Sequence, residues 1–421
     1  MPEMVRAGIF KKLTDVDDAL AVILGSVDTR IRIKYASLAE SMGCVLGEDV
    51  VARLNLPSED RSVVDGFAVI ARDADEATID TPVNLMHIGE SVLGNRCRIR
   101  MNPGETVSVA TGSAMPLGAD SVVPIEDCIF ASAHAIQIGN RVRIGENVVR
   151  KGADVSPGRL VLQKGRRLRP EDVGVLKALG IRRVKVRVLL VGTMSTGNEL
   201  TDCYGDPSGK IVDINRIVLG SMVTELGAVP VDLGIVPDRE AALLKMLRKA
   251  IRRCDVVLVS GGSSVGKRDL VPKCIHKLGK PGMLVHGVAM RPSMPTGFGI
   301  IRRKPIMSLP GVPVSAVFAF RVFGRPLIAK LMSASEPTDP IVEAELTEKI
   351  RGVPGYRTLV RVVVRPTKAG LVAQPLKTQA SSVFTSIVTA NGYVTLSPDA
   401  SEVLAGAIVK VTLIGEISSN A

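Results

Sequence analysis

The chain contains no tryptophan, and its four tyrosines and eight phenylalanines bring aromatic residues to only 3% of 421 residues. Proteins that bind single-stranded nucleic acid use aromatic side chains as stacking platforms. The net charge of +12 implies an anionic partner or a basic solubility balance, yet the basic residues are dispersed rather than gathered in runs. Because aromatic residues are few and no long run of Lys and Arg occurs, we expect no nucleic-acid partner.

Paired cysteines and long apolar runs are also lacking. The six cysteines form no CxxC pair, so neither a zinc site nor a disulfide framework is expected. No run of roughly 18 apolar residues occurs, and acidic residues interrupt the N-terminal stretch where a signal peptide would be apolar. These observations predict a cytoplasmic protein without a membrane partner.

The pattern of apolar residues divides the chain into segments of different kinds. Strand-like and helix-like stretches alternate over residues 184–331, which predicts a doubly wound parallel sheet. Short β-like runs separated by Gly, Pro and Asn predict a compact all-β domain over residues 82–150. After a linker at residues 333–340, alternating strands predict a second small β domain, a barrel or a sandwich, over residues 341–421.

Two further segments have helical features. Residues 13–43 have a helix-spaced apolar face, with Thr14 as the N-cap. Residues 151–182 carry a basic segment and then a short helix that begins at Pro170. Two roles stay open for this last segment, which either covers the β domain or joins it to the α/β domain.

The stretch Asp255–Asp269, DVVLVSGGSSVGKRD, contains the strongest local signal for a binding site. A buried strand leads into a Gly- and Ser-rich loop and then a helix-like segment, which places backbone N–H groups and hydroxyls where a phosphate could bind. An ordinary tight turn is the alternative. Asp269 favours phosphate with a cation, because a carboxylate beside an anion is repulsive without one. The predicted substrate-binding residues of the loop are Gly261, Gly262, Ser263, Ser264 and Gly266.

Acidic residues on other loops are predicted to join this site. Glu199 and Asp238 follow strand ends of the α/β segment, and Asp65 lies in a polar loop. Because parallel strands carry their ligands beyond their carboxyl ends, Glu199, Asp238 and Asp269 are expected at one edge of the sheet. A turn residue at Asp65 and a helix cap at Asp238 are the structural alternatives.

Hard oxygen donors favour Mg²⁺, which usually takes one or two carboxylates plus water and substrate phosphate. The predicted metal ligands are Glu199, Asp238 and Asp269. The four histidines have no ligand spacing, and no Ser-His-Asp or Cys-His arrangement occurs. The expected chemistry is therefore metal-assisted handling of a phosphate ester rather than covalent catalysis.

Two further loops offer donors for an anion. Pro310 and Pro313 stiffen a loop at a strand end, and Ser315 lies in the first turn of the helix that follows. N–H groups there can hold an oxyanion, although a rigid helix start is equally consistent. Thr111 begins a Gly-rich loop with many backbone donors in the predicted β domain.

Six motifs, in this order, resemble the MoeA family of molybdopterin molybdenumtransferases. They are SVVDGFAV (62–69), TGSAMPLGAD (111–120), STGNEL (195–200), SGGSSVGKRD (260–269), GVAMRPSMPTGFG (287–299) and LPGVPVSA (309–316). SGGSSVGKRD is also similar to the loop of the related molybdopterin adenylyltransferases, which share the α/β domain. The resemblance covers almost the whole chain.

The resemblance implies a multidomain α/β plus β fold in four parts. These are an extended linking and dimerisation region (1–52 and 151–182), an inserted small β domain (53–150), a doubly wound, MogA-like molybdopterin-binding domain (183–332) and a C-terminal β-barrel-like domain (340–421). It implies an elongated homodimer, with a molybdopterin adenylyltransferase as a further candidate partner. In such a dimer the β domain could bring Asp65 to the other subunit's site.

The reaction implied by the resemblance converts adenylylated molybdopterin and molybdate, or tungstate, to molybdenum cofactor and AMP with Mg²⁺. Carried over by motif, the functional carboxylates are Asp65, Asp154, Glu199, Asp238 and Asp269. Pro310 and Pro313 would shape the site, and Arg291 and Ser315 would position molybdate. An adenylyltransferase using the same loop, and a non-catalytic dimeric assembly scaffold, are the alternative functions.

The chain departs from the family pattern at several positions. Phe67 replaces a usual Tyr, Asn198 a usual Asp, and Val312 a frequent Asn. Arg291 replaces a common Lys, and Met294 replaces a second one. Because a molybdate dianion needs cationic donors, these departures bear on how the oxyanion is bound rather than on the class of reaction.

Overall fold

The structure, a computed structural model, describes residues 13–28, 32–132, 134–205, 209–261 and 270–417. The chain divides into two compact units. The larger unit comprises Met1–Gly47, Gly165–Arg169 and Val184–Ala421, and the smaller unit comprises Glu48–Lys164 and Pro170–Arg183. The four-part division inferred from the sequence is finer than this and stays a prediction. Across the described residues, no helix has both the length and the apolar character to cross a membrane.

The α-helices of the described residues are short and lie mostly in the larger unit. They are α1 (Val16–Gly25), α2 (Leu38–Ser41), α3 (Pro170–Ala178), α4 (Asn215–Glu225), α5 (Glu240–Arg253), α6 (Leu270–Leu278), α7 (Pro313–Ala319), α8 (Arg325–Leu331) and α9 (Thr385–Thr389). A π-helical turn, Phe320–Gly324, separates α7 from α8.

The N-terminal region corrects the expectation of a helix over residues 13–43. The helix ends at Gly25, and strand β1 (Arg32–Ser37) follows, with most of its side chains exposed. β1 and β2 (Val45–Leu46) pair with the distant strand β13 (Arg183–Val188), and this long-range pairing overrides local helical preference. The N-cap is Asp15, whose carboxylate accepts a hydrogen bond from the Asp17 N–H (2.8 Å), and not Thr14.

The smaller unit is built on an all-β arrangement. Its strands are β3 (Val50–Val51), β4 (Arg61–Ser62), β5 (Gly66–Val69), β6 (Val83–Ser91), β7 (Glu105–Val109), β8 (Ser121–Pro124), β9 (Cys128–Ser132), β10 (Ala135–Ile138), β11 (Val148–Val149) and β12 (Leu160–Leu162). Six of them form one sheet in the order β8-β5-β7-β6-β10-β9. Alternate residues point to opposite faces, so Ala68 and Val122 lie in one core and Val69 and Val123 in another.

The α/β part of the larger unit contains a six-stranded sheet in the order β17-β14-β18-β22-β21-β19. The strands of this region are β14 (Leu190–Thr196), β15 (Leu200–Thr201), β16 (Ile211–Val212), β17 (Val229–Val236), β18 (Val256–Gly261), β19 (Pro281–His286), β20 (Met290–Arg291), β21 (Gly297–Ile301) and β22 (Lys304–Leu309). The first four strands of the sheet are parallel, and β21 is antiparallel.

The central strand β18 explains the doubly wound arrangement. All six of its residues are buried, as its uninterrupted apolar run predicts for a parallel strand covered on both faces. Val256 and Leu258 belong to one core, whereas Val257 and Val259 belong to the core that packs against α5. The α/β prediction is confirmed, and the parallel strands end at one edge.

The C-terminal region resolves the choice between barrel and sandwich. Its strands are β23 (Ile341–Leu346), β24 (Ile350–Arg351), β25 (Arg357–Thr367), β26 (Gly370–Pro375), β27 (Gly392–Leu396), β28 (Glu402–Val403) and β29 (Ile408–Leu413). The order β25-β26-β23-β29-β27 is closed by pairing of β25 with β27. Closure leaves no free edge among these strands, so the domain is a barrel.

Candidate functional site

The carboxyl ends of β14 and β17 bring two predicted carboxylates onto neighbouring loops. The Thr196 hydroxyl donates a hydrogen bond to Asp238 Oδ1 (2.6 Å), and the Asp238 N–H donates to Asn198 Oδ1 (3.2 Å). Glu199 follows directly and is exposed, whereas Asp238 is half-buried. Asn198, where the family usually has Asp, thus still serves as an acceptor that ties the two loops together.

A cavity of about 660 Å³ opens at this edge of the sheet. Four residues predicted from the sequence line it, namely Glu199, Gly261, Pro310 and Pro313. Its size falls within the usual range for small-molecule sites, about 300–1,000 Å³. Parallel sheets place their ligand-binding loops beyond the carboxyl ends of the strands, and the cavity lies at this edge. Its depth could not be predicted from the sequence.

Hydrogen bonds between distant segments hold the floor of this cavity. Asn215 Nδ2 donates to Ser260 Oγ (2.7 Å) and to the carbonyl of Gly311 (2.8 Å), and Ser260 Oγ donates to the carbonyl of Pro310 (3.2 Å). Gly261 has φ of 91°, and a Cβ there would lie 2.3 Å from the Thr196 carbonyl oxygen. Only glycine fits at the point where the strand meets its loop.

The rest of the predicted phosphate loop, Gly262, Ser263, Ser264, Gly266 and Asp269, lies outside the described residues. Within the described ranges, no three His, Cys, Asp or Glu side chains are grouped closely enough to hold a metal ion. Glu199 and Asp238 supply two of the three predicted ligands. The metal prediction therefore stays a prediction.

Arg216 anchors Asp202 and Asp213, which lie close in sequence to cavity-lining residues, a role that sequence reasoning missed. Its Nε contacts Asp213 (2.6 Å), Nη1 contacts Asp232 (2.6 Å), and Nη2 pairs with Asp202. The side chain of Asp213 is only 2% exposed, so this is a buried ion pair. These contacts, above all with Asp213 and Asp232, raise the pKa of the Arg216 guanidinium against the opposing effect of burial.

A second cavity, of about 750 Å³, adjoins the first and shares Pro295, Pro310 and Val312 with it. Its cationic lining consists of Arg291, Lys349, Arg351 and Lys377, and its one acidic lining residue among those described is Glu348. Ser315, which was predicted to bind substrate, also lines it. The excess of positive charge suits an oxyanion.

The structure accounts for one departure from the family pattern at this cavity. Met294 is buried against Tyr356, whose hydroxyl donates to the Met294 sulfur (3.6 Å). The Arg291 guanidinium lies over the Tyr356 ring, 5.0 Å from the centroid. The Tyr356 ring therefore orients the Arg291 guanidinium. It also packs against Met294, at the position where many family members have a second lysine.

Arg361 is a second residue that sequence reasoning missed. It is fully buried in β25, and its Nη2 donates to the carbonyls of Thr378 (3.5 Å) and Ala380 (3.2 Å), the latter a lining residue of the second cavity. Burial lowers the pKa of its guanidinium, and its Nε and Nη1 have no partner within the described structure. A charged residue inside the apolar run Leu359–Val364 was the available signal.

Three predicted residues lie in the smaller unit. Asp65 is exposed, and its Oδ1 accepts hydrogen bonds from the Thr111 N–H (2.7 Å) and hydroxyl (3.0 Å). These two bonds lower the pKa of Asp65. Asp154 is exposed, and its backbone N–H donates to the Leu56 carbonyl (3.0 Å). The structure thus joins Asp65 to Thr111 and fixes the backbone of Asp154.

Phe67, where the family usually has Tyr, lies two residues after Asp65 and is buried. Its ring makes edge contacts with His87 and Phe130, each with centroids 5.7 Å apart. The position therefore contributes apolar packing in this chain.

Family models match the chain in three successive blocks. They are described as the MoeA N-terminal region (domains I and II) over residues 14–180, a probable molybdopterin binding domain over residues 192–330, and the MoeA C-terminal region (domain IV) over residues 343–414. Together they cover both described units.

Whole-length relatives and solved structures give the same result. The chain is 31% identical to a molybdopterin molybdenumtransferase of Haemophilus influenzae, over 94% of this chain and 97% of that protein. It is 31% identical to the Bacillus subtilis protein of the same name, over 91% and 90%. A crystal structure of the molybdopterin biosynthesis MoeA protein from Pyrococcus horikoshii superimposes with a TM-score of 0.82 at 30% identity, covering 96% of this chain and 100% of that one.

Proposed function

This chain belongs to the MoeA family, and we propose that it inserts molybdate, or tungstate, into adenylylated molybdopterin and releases AMP. It is a transferase of molybdenum cofactor biosynthesis. The observation that supports the finer proposal is the pair of adjoining cavities, one beside the carboxylate loops and one lined by cations. A substrate that carries a phosphate chain and must meet an oxyanion needs two such compartments side by side.

The first cavity would hold the pterin and its phosphates. Asn215 and Ser260 fix the floor through their hydrogen bonds to the Pro310–Gly311 backbone. The lining includes Ile214 and Phe384, which offer apolar surface to a planar ring, and the Gly261 loop begins at its edge. These groups would orient the substrate so that its phosphate chain points toward the carboxylate loops.

Glu199 and Asp238 are suitable ligands for Mg²⁺. Both offer hard oxygen atoms on neighbouring loops, and two carboxylates suffice because water and substrate phosphate complete the usual coordination. When bound, the ion would offset negative charge on the phosphate chain as AMP leaves. The Thr196 hydroxyl holds Asp238 in place through its Oδ1 atom.

The second cavity would hold molybdate as a substrate. Arg291, Lys349, Arg351 and Lys377 supply the cationic donors, and Arg361 supports the wall segment at Thr378–Ala380. Pro310 and Val312 lie on the boundary shared with the first cavity. The stiff proline loop would therefore keep the oxyanion adjacent to the pterin.

The proposal extends to assembly and location. A homodimer would place Asp65 and Asp154 of the smaller unit in a catalytic role, with Thr111 holding the Asp65 carboxylate. The adenylylated substrate must come from an adenylylation reaction, so a molybdopterin adenylyltransferase is the expected partner enzyme. We place the reaction in the cytoplasm, in keeping with the six free cysteines.

The proposal is tested by incubating the purified chain with adenylylated molybdopterin, Mg²⁺ and molybdate and measuring AMP by chromatography. We expect AMP release that requires molybdate or tungstate. Formation of adenylylated pterin from ATP by this chain alone would instead favour an adenylyltransferase. A dimer that does neither would favour an assembly scaffold.

Arg291→Gln is expected to raise the molybdate concentration for half-maximal AMP release about tenfold, because the exposed guanidinium over Tyr356 is a direct donor to the oxyanion. The concentration dependence on adenylylated pterin should change less than about twofold, since Arg291 does not line the first cavity. Arg357→Gln is the matched control, because its guanidinium pairs with Asp17. An equal loss of affinity for both substrates would contradict the assignment.

A further inference from the structure

A small basic cavity lies at the opposite edge of the α/β sheet from the proposed active site. Its volume is about 240 Å³, and its lining consists of Arg248, Ile251, Arg252, Lys277, Leu278, Ile301 and Arg302. We call it the basic cavity. None of these residues lines either cavity of the proposed active site.

Three separate elements converge on the basic cavity. Arg248 and Arg252 are one turn apart near the end of α5, Lys277 lies in the last turn of α6, and Arg302 lies in the turn between β21 and β22. The starting ends of β18 and β22 are at this edge, whereas the active-site loops follow their carboxyl ends. The cations therefore come from segments that are distant in sequence.

The charges in the basic cavity lack local compensation. Among the described residues, its lining includes no Asp or Glu, and Arg248, Arg252 and Arg302 form no ion pair. Lys277 is the exception, because it pairs with Glu240, which also contacts Lys273 (2.9 Å). Clustered guanidinium groups repel one another, so an anion between them would be favoured.

The backbone at Arg302 is a second, independent observation. Arg302 and Arg303 form a two-residue hairpin turn with φ of 52° and 64°. Turns with positive φ at both central residues strongly prefer Asn-Gly, because most side chains disfavour this conformation. Arg303 pairs with Asp28, but Arg302 has no such partner among the described residues. Arg302 thus adopts an unfavourable backbone conformation for a residue with a side chain, and it lines the cavity.

Compensation of helix dipoles explains only part of the cluster. Arg252 and Lys277 lie in last helical turns, where basic residues are favoured. Arg248 lies before the last turn of α5, and Arg302 lies in no helix. A function in binding accounts for all four residues together.

We propose that the basic cavity binds a phosphate-bearing anion. Guanidinium groups bind phosphate oxygens in pairs of hydrogen bonds, and three of them in a concave site can surround one phosphate group. The cavity is smaller than the range of about 300–1,000 Å³ usual for whole small-molecule ligands, so it fits a single phosphate group rather than a nucleotide. The anion is either free phosphate or the exposed phosphate of a larger molecule.

The test is calorimetric titration of the full chain with inorganic phosphate, pyrophosphate and AMP at low ionic strength. We expect inorganic phosphate to bind, and Arg248→Gln and Arg302→Gly each to weaken binding at least fivefold. Comparable binding of all three ligands identifies the phosphate group itself as the determinant. If AMP or pyrophosphate binds more tightly than inorganic phosphate, and Arg248→Gln and Arg302→Gly weaken that binding, the bound phosphate group belongs to a larger molecule.

Arg253→Gln is the matched control, since it removes the same charge from the same helix but does not line the cavity. It should change the affinity less than twofold. Arg302→Gly keeps the turn, because glycine adopts positive φ readily, so its thermal midpoint should not fall. Equal weakening by Arg253→Gln and Arg302→Gly, or phosphate binding unaffected by Arg302→Gly, would overturn the proposal. Molybdate-dependent AMP release should be unchanged in Arg302→Gly, which separates this site from the proposed function.

Discussion

Glu199→Gln is expected to lower molybdate-dependent AMP release at least about tenfold, which corresponds to a loss of about 1.4 kcal/mol of transition-state stabilisation. The substitution keeps the shape of the side chain but removes its charge. Because Glu199 lines the first cavity and its side chain is exposed, its carboxylate is the one best placed to act with Mg²⁺ near the phosphate chain of the proposed substrate. Turnover is measured as AMP formed, and size-exclusion chromatography checks that the variant keeps the oligomeric state of the unsubstituted chain.

The matched control is Asp202→Asn. Asp202 is close to Glu199 in the sequence, but its carboxylate does not line the cavity. Asp202 is 63% exposed and pairs with Arg216, so its loss should cost little. The prediction from the sequence adds Asp269→Asn, which should act like Glu199→Gln. Unchanged turnover in both Glu199→Gln and Asp269→Asn would refute the metal site.

Arg216→Met is expected to destabilise the larger unit by about 3 kcal/mol. The substitution leaves the buried carboxylate of Asp213 without its cation, and such an unpaired charge is far more costly than a lost surface pair. Asp213 keeps one hydrogen bond, from the Asn215 N–H (3.0 Å), so the cost should lie at the lower end for broken buried pairs. Urea unfolding followed by far-UV circular dichroism measures the change.

The local part of the effect is measured by hydrogen exchange. Exchange should accelerate most around Asp202 and Asp213, because Arg216 ties these two residues to α4 and β17. Asp232→Asn is the control, since Asp232 is 69% exposed and its pair with Arg216 should contribute less than about 1 kcal/mol. A midpoint for Arg216→Met equal to that of Asp232→Asn would show that the buried pair adds no stability.

Several features of the fold could be predicted because their cause is local. The apolar run Val256–Val259 indicated a buried parallel strand, and parallel strands place their following loops at one edge. In the structure Glu199, Asp238 and Gly261 lie at the carboxyl ends of the neighbouring strands β14, β17 and β18. The N-terminal prediction was wrong because β1 is stabilised by pairing with β13, about 150 residues away in the sequence.

The residues that sequence reasoning missed share a physical reason. Arg361 is a buried cation whose carbonyl partners lie 17 and 19 residues away in the sequence. Arg216 pairs with Asp213 at i,i+3 spacing, but its other partners, Asp202 and Asp232, are 14 and 16 residues away and meet it only through the fold. The basic cavity is similar, because its four cations come from two helices and a hairpin. Dispersed Lys and Arg residues in the sequence became clusters only through packing.

The sequence by itself determined the family, through six ordered motifs, and the alternation of strands and helices that forms the α/β sheet. Both are encoded in short segments, where side-chain period and backbone preference act between near neighbours. Tertiary structure alone decided that Arg291 lies over Tyr356, that Met294 is buried, and that two cavities adjoin at Pro310. These features depend on which distant surfaces pack together. The hydrophobic effect that drives such packing is non-directional, so the sequence around one residue does not specify which distant residue it will contact.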